Sequence, residues 1–95
     1  MKLSYSPESI NDLIRLREFI EMKNPQAAKR IAKSLRKGIN ELKSFPYMGV
    51  KVEKAPKPDL VRDLIIGSYT ARYLIRLKEI TILRLWHHKE KENRL

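Results

Sequence analysis

Apolar positions recur with a helical period over the first half of the chain and with an alternating one over the second, which predicts helices first and strands after them. Ile10, Leu13, Ile14, Leu16 and Ile20 form one broad stripe, with Phe19 at its margin and Arg17 interrupting it; Ala28, Ile31, Ala32, Leu35, Ile39 and Leu42 form a second. Each stripe follows a cap and a proline, Ser6-Pro7 and Asn24-Pro25. Proline suits a first helical turn because the amide it lacks would have no partner there. The first helix therefore stops near Lys23 and the second starts at once, as a hairpin. Arg17 is placed to pair with Glu21 one turn on. Ahead of the helices, Lys2–Tyr5 reads as a short strand. After them Phe45-Pro46-Tyr47-Met48-Gly49 ends the second helix, with Phe45 expected in the core. Residues 51–60, with two prolines and three lysines, read as a loop.

The densest β-branched stretch is VRDLIIGSYTARYLIRLKEITILRLWHH, residues 61–88. It divides into strands at residues 61–66, 69–77 and 80–87, joined by Gly67-Ser68 and Lys78-Glu79. Two-residue loops set Ile66 opposite Tyr69 and Leu77 opposite Ile80. One face then carries Leu64, Ile66, Tyr69, Ala71, Tyr73, Ile75, Ile80, Ile82 and Trp86, with Arg62 and Arg84 as its charges, and must be covered by the helices. The other face carries Val61, Asp63, Ile65, Thr70, Arg72, Leu74, Arg76, Thr81, Leu83, Leu85 and His87. Arg72 lies opposite Asp63, its natural cross-strand partner. For Arg62 and Arg84 two arrangements fit the pattern: both extend from the rim to carboxylates such as Glu18 or Asp12, or a three-residue second loop moves Arg84 to the open face beside Arg72 and Arg76. The expected architecture is α+β, in the order β-α-α-β-β-β. A helical hairpin packs on a mostly antiparallel sheet of three to four strands, in a single domain over residues 1–95 with a charged tail at 89–95 expected to fray.

Charge sharpens this picture. The chain of 95 residues carries +10 with a pI near 10.1, which suits a polyanionic partner. The excess is concentrated in residues 23–43, where Lys23, Lys29, Arg30, Lys33, Arg36, Lys37 and Lys43 against Glu41 sum to +6. Taken singly each cation reads as part of a solvated helix face; the sum is what could attract an acidic partner. There is no cysteine, so neither disulfides nor thiolate metal sites are available. No apolar run is long enough to span a membrane and no secretory leader is evident, so a cytoplasmic protein is expected. His87 and His88 lack a third ligand, so no metal and no cofactor are expected.

Several stretches together resemble the RelE/ParE superfamily of bacterial type II toxins, small basic proteins neutralised by an antitoxin encoded beside them. They are DLIRLREFI (residues 12–20), NPQAAKRI (24–31), LKSFPYMG (42–49), VRDL (61–64), GSYTARYLI (67–75) and ILRLWH (82–87), in the order of the family and across nearly the whole chain. The resemblance implies the same helical hairpin on an antiparallel sheet. It also implies one of two activities. ParE-like members inhibit DNA gyrase and cleave no substrate of their own, whereas RelE-like members cut messenger RNA in the ribosome. Such cleavage needs a base for the 2′-hydroxyl, cations for the phosphorane and an acid for the leaving oxygen. RelE-like enzymes typically carry arginine directly after the tyrosine that begins the middle strand and a tyrosine or histidine near the C-terminus; here Thr70 follows Tyr69, and no tyrosine occurs after Tyr73.

The resemblance therefore favours a ParE-like toxin, a growth inhibitor of the kind that stabilises plasmids, with a cognate acidic antitoxin and DNA gyrase as partners, no membrane, and a toxin–antitoxin hetero-oligomer as its resting form. Candidate binding residues are Lys29, Arg30, Lys33, Arg36, Lys37, Arg72, Arg76, Arg84, Trp86, His87 and His88. The alternative is a ribosome-dependent endoribonuclease using Arg72, Arg76 and His87. A plain nucleic-acid-binding module ranks third, because neither exposed aromatic pairs nor a recognition helix are evident.

Overall fold

A computed structural model describes residues 1–90. The elements are β1 (Lys2–Tyr5), α1 (Pro7–Lys23), α2 (Pro25–Asn40) with a 3-10 turn at Glu41–Lys43, β2 (Val50–Lys51), β3 (Val61–Ile66), β4 (Tyr69–Ile75) and β5 (Glu79–His87). Five strands form one sheet in the order β1-β5-β4-β3-β2. β1 runs parallel to β5 and all other pairs are antiparallel. The expected α+β fold is present, with one strand more than expected: β2 pairs Val50 with Asp63 and Lys51 with Arg62 at the start of the predicted loop. The tail expected at 89–95 falls outside the described residues from position 91 onward.

Both helix starts are built as their sequences predict. The Ser6 hydroxyl accepts from the Ser9 amide at 3.0 Å, and the Asn24 side chain accepts from the Ala27 amide at 3.1 Å while its own amide closes α1 on Ile20 O at 2.8 Å. The core lies between the helices and one face of the sheet. Leu16, Leu35, Ile39 and Leu42 meet Leu64, Tyr69, Ala71, Tyr73, Ile75, Ile80, Ile82 and Leu85. Phe45 was expected there but is 64% exposed, because the turn it begins is held by backbone and not by its ring. Tyr73 does the holding: its hydroxyl donates to Pro46 O at 2.8 Å and accepts from the Gly49 amide at 2.9 Å. Gly49 has no room for a side chain, since a Cβ would stand 2.6 Å from that hydroxyl and 2.9 Å from Asp63 O. Ala32, on the α2 stripe, is exposed, as are Ile10 and Ile14 on α1. The buried line of α1 runs instead through Ser9, Asp12 and Leu16.

The first hairpin turns at Gly67, whose φ of +59° is the left-handed conformation that glycine tolerates. Ile66 pairs with Tyr69 as the pattern requires. The second connection differs from expectation. Ile75, not Leu77, pairs with Ile80, a shift of two residues that leaves the facing of the first half of β5 unchanged. The facing inverts further along, where Tyr73 pairs with Ile82 but Arg72 with Arg84, so Leu83 is an extra, unpaired residue. This bulge turns Leu85 into the core, where it is wholly buried, and puts Arg84 and Trp86 on the opposite face and His87 on the helix side. The expected facings of Leu85, Trp86 and His87 are reversed by this one residue, whereas Arg84, whose facing the pattern left open, lies on the open face opposite Arg72 and reaches Asp12.

Candidate functional site

The bulge sits where β1 ends. β1 pairs with β5 only from Glu79 to Ile82, which leaves the remaining edge of β5 without a ladder partner. Side chains of α1 take over. The Ser6 hydroxyl donates to Leu83 O at 2.9 Å, and Asp12 Oδ2 accepts from the Leu85 amide at 2.9 Å. Asp12 also accepts from Arg84 Nε at 2.8 Å and Nη2 at 3.2 Å, and from Arg15 Nη2 at 3.3 Å. Burial pushes the Asp12 carboxyl up, but the Arg84, Leu85 and Arg15 hydrogen bonds outweigh it and hold the group below the ordinary carboxylate value. The same contact raises Arg84, which therefore stays cationic.

Arg84 stands directly opposite Arg72 on the open face, a juxtaposition that would be repulsive if each lacked a counter-charge. Each has one. Arg72 makes two hydrogen bonds to Asp63 across the strand pair, at 2.8 and 3.0 Å, and its guanidinium lies 5.1 Å from the centroid of the Trp86 ring. The expected Arg72–Asp63 pair is thus present. Trp86 is buried, on the open face and under Arg72 instead of beneath the helices.

The remaining candidates are dispersed. Arg76 lies past the end of β4, exposed, with Glu79 Oε1 at 3.9 Å. His87 packs edge-on against Tyr69 at 4.9 Å on the helix side, its Nδ1 accepting from the Lys89 amide at 3.0 Å. His88 Nε2 bonds the Thr70 hydroxyl at 2.9 Å. Arg72, Arg76 and His87 are therefore not brought together, because the sheet separates His87 from Arg72. Arg62 adopts neither of the arrangements its pattern allowed; it donates to the carbonyls of Tyr47, Gly49 and Asp59 at 3.0 to 3.1 Å and braces the turn beside β2. Lys29, Arg30, Lys33, Arg36 and Lys37 are all exposed along α2. Arg17 pairs with Glu21 at 2.8 Å as expected.

A groove of about 580 Å³ runs between the C-terminal half of α1 and the ends of β4 and β5, lined by Leu16, Phe19, Ile20, Tyr69 and His87 and edged by Arg15 and Lys23. Phe19 within it is 59% exposed, and Lys89 and Glu90 complete its lining. Phe19 follows Asp12 by seven residues and so continues the buried line of α1 beyond Leu16, where it is left exposed at the groove. Among the described residues no three histidine, cysteine or acidic side chains come together as a metal site, and no helix is long and apolar enough to cross a membrane.

A helical hairpin on a mostly antiparallel sheet, with a strongly cationic second helix and two arginines facing each other on the open face, defines a small basic α+β protein. The sequence matches the family described as ParE toxin of type II toxin-antitoxin system, parDE, over residues 3–92, and the chain belongs to that family. No curated protein matches it. The fold is similar to a chain of the chromosomal ParDE toxin–antitoxin system from P. aeruginosa, with a TM-score of 0.77 at 21% identity, covering 92% of this chain and 95% of that one. It is also similar to the solution structure of a conserved hypothetical protein from Helicobacter pylori, with a TM-score of 0.61 at 21% identity, covering 95% and 97%.

Proposed function

We propose that this toxin arrests growth by binding DNA gyrase, without cleaving a substrate of its own, and that a cognate acidic antitoxin neutralises it. Membership of the ParE family supports the toxin class. The observation that carries the choice of mechanism is the occupancy of the open face. Arg72 is engaged by Asp63 and Trp86, Arg84 is engaged by Asp12, and His87 stands on the other side of the sheet. Proton transfer to a 2′-hydroxyl requires a base within hydrogen-bond reach of the same phosphate that the cations hold, which this spacing does not offer. Thr70, where ribosome-dependent relatives carry arginine, supports the same reading; its hydroxyl is committed to His88.

The antitoxin's place is the groove between α1 and the ends of β4 and β5. An amphipathic helix with acidic flanks would bury Phe19 with its apolar side and meet Lys23 and Lys89 with its carboxylates. A toxin–antitoxin hetero-oligomer follows from that docking. The test is induction of the protein without an antitoxin, with growth, plasmid supercoiling, DNA breaks and transcript integrity read in one culture. Growth arrest with DNA damage and intact transcripts is expected. Normal growth with folded protein accumulating would refute the toxin reading, and arrest with cleaved transcripts would replace gyrase binding by RNA cleavage.

A further inference from the structure

We propose that the outward face of α2 is a second binding surface, for the phosphate backbone of duplex DNA, distinct from the groove beside α1. At about 100° per residue, Lys29, Arg30, Lys33, Arg36 and Lys37 fall within an arc of about 120°, turned away from the buried line of Ala28, Leu35 and Ile39. The two arginines among them differ from the other described arginines. Every described arginine outside α2 holds a carboxylate or carbonyl oxygen: Arg15 and Arg84 on Asp12, Arg17 on Glu21, Arg62 on the loop carbonyls, Arg72 on Asp63 and Arg76 facing Glu79. No described carboxylate lies within 4.0 Å of any cation on α2. Their charge is available to something outside the chain.

The chemistry of the face selects among polyanions. None of the exposed large apolar side chains of the described chain belongs to α2. An acidic protein partner would need a desolvated apolar centre with aromatic anchors, which this face lacks. A nucleic-acid backbone needs only cations and polar donors. Lys29, Lys33 and Lys37 are spaced about 6 Å apart along the axis, over a total of about 12 Å. One strand of a duplex presents a phosphate about every 3.4 Å of its axis, so a helix laid along it meets three to four phosphates without entering a groove. Lys33, Arg36, Lys37 and Asn40, together with Glu41 and Ser44, line a shallow depression on this side of the chain. The contact is independent of base sequence, and it stands whether or not gyrase is the toxin's target.

The experiment is fluorescence anisotropy of the full-length chain, made by cell-free synthesis, with a labelled mixed-sequence duplex of about two helical turns between 50 and 200 mM salt. Three to four neutralised phosphates give a slope of log K on log salt of about −3, and K33Q/K37Q reduces it by about 2 and weakens binding at 50 mM salt by about tenfold or more. K54Q/K57Q, in the loop before β3, leaves both unchanged. All four lysines are exposed, and an unchanged melting temperature shows that each variant is folded. Absence of salt-dependent binding would overturn the proposal, as would a slope that K33Q/K37Q leaves intact. Failure on duplex DNA combined with poly-glutamate binding that K33Q/K37Q abolishes would overturn it in favour of an acidic protein.

Discussion

Replacing Asp12 by alanine removes the acceptor on which the edge of β5 beyond β1 depends. The Leu85 amide, in a residue with no exposed surface, loses its partner, and Arg84, whose side chain is 26% exposed, loses its counter-charge. An unsatisfied buried donor costs about 1–3 kcal/mol, and stripping one partner from a buried ion pair about 3–5 kcal/mol. Solvent reaches Arg84 and screens part of the second loss, so the expected total is about 3 kcal/mol. In a domain of this length that lowers Tm by roughly 12–24 °C, and it is a large share of a total stability of about 5–14 kcal/mol. Asp12→Asn keeps an acceptor for the Leu85 amide and forfeits only the charge, with a loss of about half as much. The pH dependence has a fixed sign. Asp12 is held below the ordinary value of 3.8, so its contribution is complete above that value and disappears as pH falls through the lower folded-state value. Urea unfolding of wild type, Asp12→Ala and Asp12→Asn at pH 7 and near pH 3 is the assay. A difference under about 1 kcal/mol at neutral pH, or one that widens on acidification, would refute the account of the β5 edge.

Four further outcomes are expected. Gly49→Ala forces a Cβ against the Tyr73 hydroxyl and Asp63 O, destabilising the protein by about 1–3 kcal/mol in thermal melts. Tyr73→Phe leaves the Gly49 amide without its acceptor and Pro46 O without its donor, for about 1–3 kcal/mol by the same measurement. Gly67→Ala meets no neighbouring atom, so its effect is limited to about 1–2 kcal/mol of left-handed backbone strain. Deleting Leu83 removes the extra residue while Ile82 still faces Tyr73, Arg84 still faces Arg72 and Leu85 still faces Ala71, so Leu85 keeps its place in the core; a cooperative urea transition is expected to survive, and its loss would contradict the facing assigned to β5.

The capped prolines made both helices legible in the sequence, and Gly67 made the first hairpin so. Opposite residues followed from that turn, including Asp63 and Arg72. The bulge was not legible because the pattern around it has no phase: Ile82, Leu83, Leu85 and Trp86 are all apolar, so one inserted residue leaves no break in alternation. Its cause lies in tertiary structure, where Ser6 and Asp12 take up the backbone that β1 leaves unpaired. Asp12 itself is an acid on a helix, and nothing in its neighbours distinguishes a buried acid from a solvated one; its partner Arg84 was the better signal. β2 is too short at two residues to show any period. The shared face of Arg72 and His87 depended on an unbroken register, and the bulge separated them.

Titration of the purified chain into a DNA gyrase supercoiling reaction, alongside ribosomes translating a labelled messenger, separates gyrase binding from RNA cleavage in one experiment. Loss of supercoiling with accumulation of broken DNA is expected while the messenger stays intact. Uninhibited supercoiling accompanied by cleavage of the messenger would refute gyrase as the target.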